Sequence, residues 1–315
     1  MVSYVDFNPF SGSGQSSFSL PGFGRAIESI FDFLIFSSLF VGIAGMGMIY
    51  TSCLLQGIEP IPAILGIMLL VPFSVYNMNR KTDEEEDSVN RQDRFAFTKR
   101  FEKPLLIGAL AAYAIAVLVA FPYGPAAILI TLVPLLAGVL YSMPVLPSGF
   151  GYRRLKEIPV MKNLVVGGSW SAILVILPCL TAGRPITGET VLCLLFFFTY
   201  AFIASALPDM RDREGDERAG VRTIPVLIGV DRTKRVLGAM NWTTALMVVA
   251  SGLCAIITPL IAVLYAGAHV YTQCCITSFG RIGKKDLICD LLSDGQFLII
   301  GAALFLVQAL FPLCL

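Results

Sequence analysis

Long apolar segments are the feature that most constrains what this chain can fold into. A helix that crosses a bilayer needs about 20 predominantly apolar residues. The sequence predicts nine such segments, at residues 30–55, 60–76, 104–121, 126–145, 164–182, 191–207, 236–257, 259–276 and 297–315. The predicted fold class is therefore all-α, a polytopic membrane protein with nine transmembrane helices.

The composition supports a membrane location. Hydrophobic residues make up 56% of the 315 residues and charged residues only 14%, whereas a soluble domain carries about 25% charged residues. A net charge of +1 gives no indication of a nucleic-acid partner. Residues 1–24 are rich in Gly and Ser and lack the basic start of a signal peptide. They predict a flexible tail, and residues 25–315 predict a single transmembrane domain.

The basic residues divide unequally between the two faces of the predicted helices. If nine helices alternate in direction, four connections share one face, and these carry 21 of the 23 Lys and Arg residues. Arg25 precedes the first helix on that same face, and Arg184 falls on the other. Basic residues are concentrated in cytoplasmic loops. The N-terminus and the four connections are therefore predicted to be cytoplasmic, in the cell membrane, with the C-terminus on the far side.

Two acidic segments lie where predicted helices two and six end on that face. The first acidic segment is residues 79–87, and the second is residues 209–216. In each, side chains whose oxygens can bind a metal ion recur at a helical spacing. Residues three, four or seven apart share one face of a helix. The stripes consist of Asn79, Asp83 and Asp87 in the first segment and Asp209, Asp212 and Asp216 in the second.

Carboxylate and amide oxygens in this arrangement favour a hard divalent cation. Mg²⁺ usually bridges carboxylates to phosphate oxygens and seldom occupies an all-protein cage. Two unit charges about 4 Å apart interact by about 4 kcal/mol at an effective dielectric near 20, so a diphosphate cannot bind among bare carboxylates without cations. All six side chains are predicted to hold Mg²⁺. Charge compensation in the same connections is predicted from Arg91, Arg94, Arg154, Lys156 and Arg222.

Three other interpretations stay open at this point. Either acidic segment alone is compatible with a solvated loop, although a merely solubilising helix would alternate its charges. In a cation-coupled secondary transporter the carboxylates would bind coupling ions, but such sites lie near the bilayer midplane, in broken helices. A non-catalytic scaffold would not need two matched sets of ligands.

The two acidic segments resemble the signatures of the UbiA-type intramembrane prenyltransferases. The first reads "NRKTDEEEDSVNRQDR", in which Arg91 and Arg94 take the two arginine positions of that family, while Arg80, Gln92 and Phe95 depart from its pattern. The second reads "DREGDERAGVRTIPVLIG", with Asp212 and Asp216 as its acidic box. Between them, "YSMPVLPSGFGYRRLKEIPVMKN" is similar to the family's Tyr-Ser, Arg-Leu-Lys and Lys-Asn pattern. This pattern adds Tyr141 to the predicted diphosphate-binding residues, with a longer gap than usual before Lys156.

The resemblance implies nine helices around a central cavity with a cytoplasmic cap, a prenyl diphosphate donor and Mg²⁺. It assigns catalysis to Asp83, Asp87, Asp212 and Asp216, and adds Asn79 to the residues around the diphosphate. Ionisation of the allylic diphosphate would give an electron-deficient prenyl carbon that a lipophilic or aromatic acceptor attacks. A CDP-linked alcohol phosphotransferase would need one contiguous acidic motif, which the sequence lacks.

The identity of the acceptor stays open between a quinone precursor and an archaeal-type glycerol-phosphate lipid. The donor's chain length and the oligomeric state also stay open. His269, the single histidine, favours a polar group packed inside a helix over a general base.

Overall fold

The computed structural model describes residues 22–310, except residues 83, 85–87, 89–90, 145–146, 148, 150, 219, 282–284 and 286. This part of the chain is helical and contains no β-strand, which confirms the predicted all-α class. Its α-helices are α1 (Gly22–Phe36), α2 (Leu39–Leu55), α3 (Pro62–Thr82), α4 (Gln92–Arg100), α5 (Glu102–Ala120), α6 (Pro125–Ser142), α7 (Met161–Thr181), α8 (Gly188–Arg218), α9 (Ile224–Ile228), α10 (Val230–Leu253), α11 (Pro259–Ser278) and α12 (Ser293–Leu310).

Three shorter helical turns complete the described chain. Phe121–Tyr123 and Leu155–Glu157 are 3₁₀ turns, and Leu287–Leu292 is a π-helical turn that leads directly into α12. Of the predicted N-terminal tail, residues 1–21 lie outside the described residues, and residues 22–24 belong to α1.

Within the described residues each of the nine predicted apolar segments overlaps a helix, the first being shared by α1 and α2, but the number of membrane spans is lower by length and composition. Within the described residues, seven helices are long and apolar enough to cross a membrane. The pair α1–α2 would be an eighth span, bent by 72°. Helix α6 is apolar but shorter, with only Pro125–Tyr141 in the apolar part. The chain therefore has the helices of an integral membrane protein, and nine spans stay a prediction.

The bend between α1 and α2 has a local cause. Ser38 lies in the left-handed region, with φ of 63°, which interrupts the helix after Phe36. Asn77 on α3 donates to the Ser37 carbonyl at 2.9 Å, and Arg80 donates to the Phe36 carbonyl. Side chains of α3 thus satisfy backbone carbonyls that the bend leaves without helical partners.

Packing contacts run around a closed series of helices: α2, α3, α6, α7, α8, α10, α11 and α12, which returns to α2. Helix α5 packs outside this series against α3 and α6. Small residues let α2 approach its neighbours closely, since a Cβ on Gly45 would lie 2.5 Å from the Met68 carbonyl oxygen and one on Gly47 would lie 2.5 Å from that of Phe297. Small residues at helix contacts are typical of membrane bundles.

Candidate active site

A cavity of about 350 Å³ lies between the helices. At one end, called the polar end, it is lined by charged and amide side chains of α3, α4, α7, α8 and the π-helical turn. The rest of the wall is apolar and aromatic and includes Met48, Met68, Trp170 and Leu174. A chamber with one charged end and a long apolar remainder fits an amphiphile whose head is anionic.

The first acidic segment is described only in part. Asn79, in the last turn of α3, lines the cavity. Gly138 on α6 leaves room for it, because a Cβ there would lie 3.1 Å from the Asn79 side-chain oxygen. Asp83 and Asp87 lie outside the described residues.

Glu84, in the same segment, contacts two lysines outside the main cavity. Its carboxylate accepts from Lys99 at 2.7 Å and from Lys81 at 2.9 Å. The hydrogen bond from Lys99, and then that from Lys81, hold the pKa of Glu84 below its ordinary value. Glu84 is therefore part of a surface ion-pair group and does not line the main cavity.

The second acidic segment is the continuous end of α8, as its spacing predicted. Asp212 and Asp216 both line the cavity. Asp216 is 8% exposed and accepts from the Thr223 hydroxyl at 3.2 Å. Three residues from separate parts of the chain, Asn79 on α3 and the two aspartates on α8, thus meet at the polar end.

Asp209, in the same stripe, has a different environment. It is 1% exposed and does not line the cavity. Lys162 donates to one of its oxygens at 2.5 Å, and Asn163 donates to the other at 3.1 Å. Because both oxygens have partners and Lys162 lines the cavity, Asp209 holds a cation at the cavity wall.

Arg211 and Asp290 form an ion-pair network at the polar end. Arg211 donates to both oxygens of Asp212, at 2.7 and 2.9 Å, and to Asp290 at 3.2 Å. Asp290 lies in the π-helical turn and also accepts from Arg91 at 2.6 Å. The network joins the connection after α3, the end of α8 and the approach to α12.

Tyr200 and Asp294 form a second polar pair on the cavity wall. The Tyr200 hydroxyl lies 2.9 Å from the Ser293 carbonyl oxygen and 3.2 Å from an oxygen of Asp294. Tyr200 lies 11 residues before Arg211 on α8, about 16 Å along the helix axis at 1.5 Å per residue. Because Asp294 contacts Tyr200, it lies further toward the apolar part of the cavity than the arginine network does.

The remaining predicted diphosphate-binding residues divide into two groups. Arg94 and Tyr141 line the cavity. Arg154 and Arg222 are exposed and do not line it, and Lys156 lies in the Leu155–Glu157 turn, where its side chain is outside the description. The structure therefore brings Asn79, Arg94, Tyr141, Asp212 and Asp216 together, with Arg91 connected to them through Asp290.

His269 lies away from the cavity. It is 3% exposed, its Nδ1 lies 2.8 Å from the side-chain oxygen of Asn241, and Asn241 donates to the His269 carbonyl at 2.9 Å. These contacts join α10 to α11. The geometry agrees with a packed polar group and gives His269 no access to the cavity.

Sequence reasoning gave no role to five of the charged or polar wall residues, which are Lys162, Tyr200, Arg211, Asp290 and Asp294. For Asp290 and Asp294 a signal existed, because carboxylates four residues apart precede the last apolar segment in "CDLLSDGQF". Lys162 lay inside the motif between the two signatures and Arg211 inside the second acidic segment, but nothing in the sequence showed which basic side chain of a connection would reach the cavity.

The donor set at the polar end fits Mg²⁺. Asn79, Asp212 and Asp216 offer amide and carboxylate oxygens, the ligand type that Mg²⁺ prefers, without the imidazole or thiolate that zinc favours. Among the described residues no group of three or more His, Cys, Asp or Glu side chains could by itself hold a metal ion. A cation here would therefore need oxygens from a bound phosphate, from Asp83 and Asp87, or from both.

Comparisons with known proteins agree with this geometry. The family model described as "UbiA prenyltransferase family" matches residues 38–280. Two relatives named digeranylgeranylglyceryl phosphate synthase are each 28% identical to this chain. The one from Thermococcus sibiricus is matched over 82% of this chain and 92% of its own length, and the one from Pyrococcus horikoshii over 65% and 69%.

Among solved structures, a UbiA homolog from Archaeoglobus fulgidus bound to DMAPP and Mg²⁺ has the same fold. The TM-score is 0.63 at 17% sequence identity, and the match covers 88% of this chain and 99% of that one.

Proposed function

Because this chain belongs to the UbiA prenyltransferase family, we propose that it transfers a prenyl group from a prenyl diphosphate to the hydroxyl of a lipophilic glycerol-phosphate acceptor. It is an integral membrane prenyltransferase; the donor, the acceptor and the metal dependence are the proposed parts. The observation that carries the proposal is the cavity itself, in which Asn79, Asp212 and Asp216 from distant segments meet at the charged end of an otherwise apolar chamber.

The donor's diphosphate binds at the polar end. Asn79, Asp212 and Asp216 would hold Mg²⁺, and Asp83 and Asp87 complete the proposed ligand set. The carboxylates alone would repel a diphosphate by about 4 kcal/mol for each pair of unit charges about 4 Å apart. The cations that line the wall, Arg94 and Lys162, reduce this repulsion further.

The metal site and the apolar wall of the cavity have different roles in the reaction. Bound Mg²⁺ would supply Lewis-acid stabilisation of the charge that develops on the diphosphate oxygens. Met48, Met68, Trp170 and Leu174 keep water away from the electron-deficient prenyl carbon.

Asp294 is proposed to take the acceptor's proton. The hydrogen bond from Tyr200 orients the carboxylate, and its place near the apolar wall is where an acceptor hydroxyl would approach the prenyl carbon. The donor's C–O bond breaks first, and the diphosphate departs with the electron pair. As the acceptor oxygen then forms the new C–O bond with the prenyl carbon, the hydroxyl proton moves to an oxygen of Asp294. A carboxylate positioned in this way acts as a general base.

The acceptor class rests on the relatives. Both are named for synthesis of digeranylgeranylglyceryl phosphate, which favours a glycerol-phosphate lipid over the quinone precursor left open by the sequence. The polar end is proposed to lie on the cytoplasmic side of the cell membrane, because the connections that carry most of the Lys and Arg residues lie at that end.

The experiment is a transfer assay on the purified protein in detergent. Radiolabelled geranylgeranyl diphosphate is offered with geranylgeranylglyceryl phosphate and, separately, with hydroxybenzoate and naphthoate acceptors, each with and without Mg²⁺. Mg²⁺-dependent ether formation with the glycerol-phosphate acceptor supports the proposal. Product with an aromatic acceptor only would contradict the acceptor class while leaving the family assignment in place.

A further inference from the structure

Arg211 binds Asp212 through the same oxygens that a metal ion would use. Its Nε donates to one carboxylate oxygen at 2.7 Å and its Nη2 donates to the other at 2.9 Å. This is the side-on, two-bond geometry in which Arg binds carboxylates most strongly. A divalent cation that coordinates Asp212 must therefore compete with a guanidinium for both oxygens.

Asp290 is the carboxylate that Arg211 already touches with its third nitrogen. The Arg211 Nη1 lies 3.2 Å from Asp290 Oδ1. The side chains of Arg211, Asp212 and Asp290 are only 10%, 18% and 17% exposed, so solvent screens their charges poorly. All three line the cavity at the polar end.

The backbone around Asp290 is also unusual. Asp290 lies in the π-helical turn Leu287–Leu292, and short π-helical turns are found frequently at functional sites. Asp290 Oδ2 additionally accepts from Arg91 at 2.6 Å. The same carboxylate thus binds arginines from two different connections.

We propose that Arg211 is an exchangeable resident cation on Asp212, and that Asp290 receives it when a divalent cation binds. The guanidinium leaves both oxygens of Asp212 to the metal and stays bound to Asp290 through Nη1, which already lies 3.2 Å from Asp290 Oδ1. Its Nε and Nη2 then become donors for the incoming diphosphate. This inference rests on the proposed function, because it takes Asp212 as a metal ligand. Arg211 and Asp290 are positioning residues in this exchange.

The exchange predicts metal affinities that change in opposite directions in two variants. The probe is Mn²⁺, which shares the preference of Mg²⁺ for carboxylate oxygens, measured by electron paramagnetic resonance on purified protein without diphosphate. Arg211→Lys keeps the charge but loses the two-bond fork, so Mn²⁺ should bind about tenfold more tightly, the size of one charge-assisted hydrogen bond. Asp290→Asn removes the receiver, so Mn²⁺ should bind about tenfold more weakly.

Matched controls separate the exchange from a general effect of charge. Arg91→Lys alters the other arginine bound to Asp290 and should leave the Mn²⁺ affinity within about twofold of wild type. Arg211→Gln should bind Mn²⁺ at least as tightly as Arg211→Lys. If only Arg211→Gln tightens binding and Arg211→Lys does not, the effect is one of net charge and the exchange is wrong. Each variant must keep the thermal midpoint and the monodisperse elution of the wild type.

Asp212→Asn distinguishes a failure of the proposed exchange from a failure of the proposed metal site. A normal Mn²⁺ affinity in Asp212→Asn would overturn the metal assignment in the proposed function and the exchange with it. A weakened affinity in Asp212→Asn, together with unchanged affinities in Arg211→Lys and Asp290→Asn, would overturn the exchange alone.

Discussion

Helices α2, α7 and α8 meet differently at their two ends. At the polar end α7 and α8 present Lys162 and Asp212 to an open cavity, and Asp209 behind the wall holds Lys162 in place. At the opposite end they close on a thiol cluster, which consists of Cys53, Cys179 and Cys193 with Ser52 and Gln56. There Cys179 lies 3.1 Å from the Gln56 side-chain oxygen, and Ser52 lies 3.5 Å from Cys193.

The contrast separates residues that hold the bundle from residues that serve the reaction. The three cysteines of the thiol cluster are buried and do not line the cavity, so we expect their contacts to contribute to packing. The polar end keeps carboxylates and cations at a cavity wall, although ionised groups in a membrane bundle are costly and usually mark functional sites. Substitutions at the polar end should therefore change turnover with little change in stability, and substitutions in the thiol cluster should do the reverse.

The largest effect is expected for the proposed metal ligands. Asp212→Asn and Asp216→Asn should each lower prenyl transfer by about 10²–10³-fold, the range for loss of one electrostatic partner in an active site. In Asp216→Asn the side-chain shape and an acceptor for Thr223 are kept, so stability should change little. Asp212→Asn keeps the shape but only one of the two oxygens that accept from Arg211. Glu84→Gln is the matched control, since Lys81 and Lys99 bind Glu84 away from the cavity; its turnover should be normal. Near-normal turnover in both aspartate variants would remove the metal assignment.

Asp294→Asn should lower the rate of ether formation by about 10²-fold. This smaller loss is at the lower end of the range for removal of a general base. Ionisation of the donor does not need this base. Hydrolysis of the donor to diphosphate and prenyl alcohol should therefore continue. The measurement compares labelled ether with free prenyl alcohol in one reaction. Equal losses of ether and alcohol would mean that Asp294 acts on the donor and is not the base.

Asp209→Asn should have a milder effect on binding. The variant keeps an acceptor for Lys162 but loses the charge that holds this cation at the wall. Groups that position a binding residue typically contribute 10–100-fold to affinity or activity. The KM for the donor should therefore rise about tenfold, with a nearly unchanged kcat. Asp216→Asn provides the comparison within one helix. A loss in kcat as large as that of Asp216→Asn would show that Asp209 is itself a metal ligand.

The smallest functional effect is expected in the thiol cluster. Cys193→Ala removes a buried side chain and should lower the free energy of unfolding by about 1 kcal/mol, the typical cost of a single substitution. Turnover measured below the unfolding transition should stay within about twofold of wild type. A large loss of turnover without loss of stability would break the division between the two ends.

The fold could be predicted from the sequence because its main determinant is local. Apolar segments identified all the long helices, and the 3.6-residue period placed Asp212 and Asp216 on one face of α8, where they line the cavity. The bend at Ser38 could not be predicted in this way, because side chains of α3 cap it from a distant part of the chain.

The candidate site was predictable only in part for a related reason. Spacing shows which side chains share a face, but the partner of each depends on the neighbouring helix. Asp209 follows the same stripe as Asp216, yet Lys162 and Asn163 on α7 occupy it. Arg154 is near a motif in sequence, yet its turn leaves it exposed and away from the cavity wall.

Asn79, Asp212 and Asp216 are proposed to hold a metal ion and, through it, a prenyl diphosphate at the polar end. The most direct measurement is a crystal structure of the protein with Mn²⁺ and geranylgeranyl thiodiphosphate, which reacts slowly, using the anomalous signal of manganese. We predict anomalous peaks within about 2.5 Å of oxygens of Asp212 and Asp216, with the diphosphate beside them and the prenyl chain against Trp170 and Leu174. Manganese peaks away from both aspartates, or a diphosphate bound outside the polar end, would contradict the account.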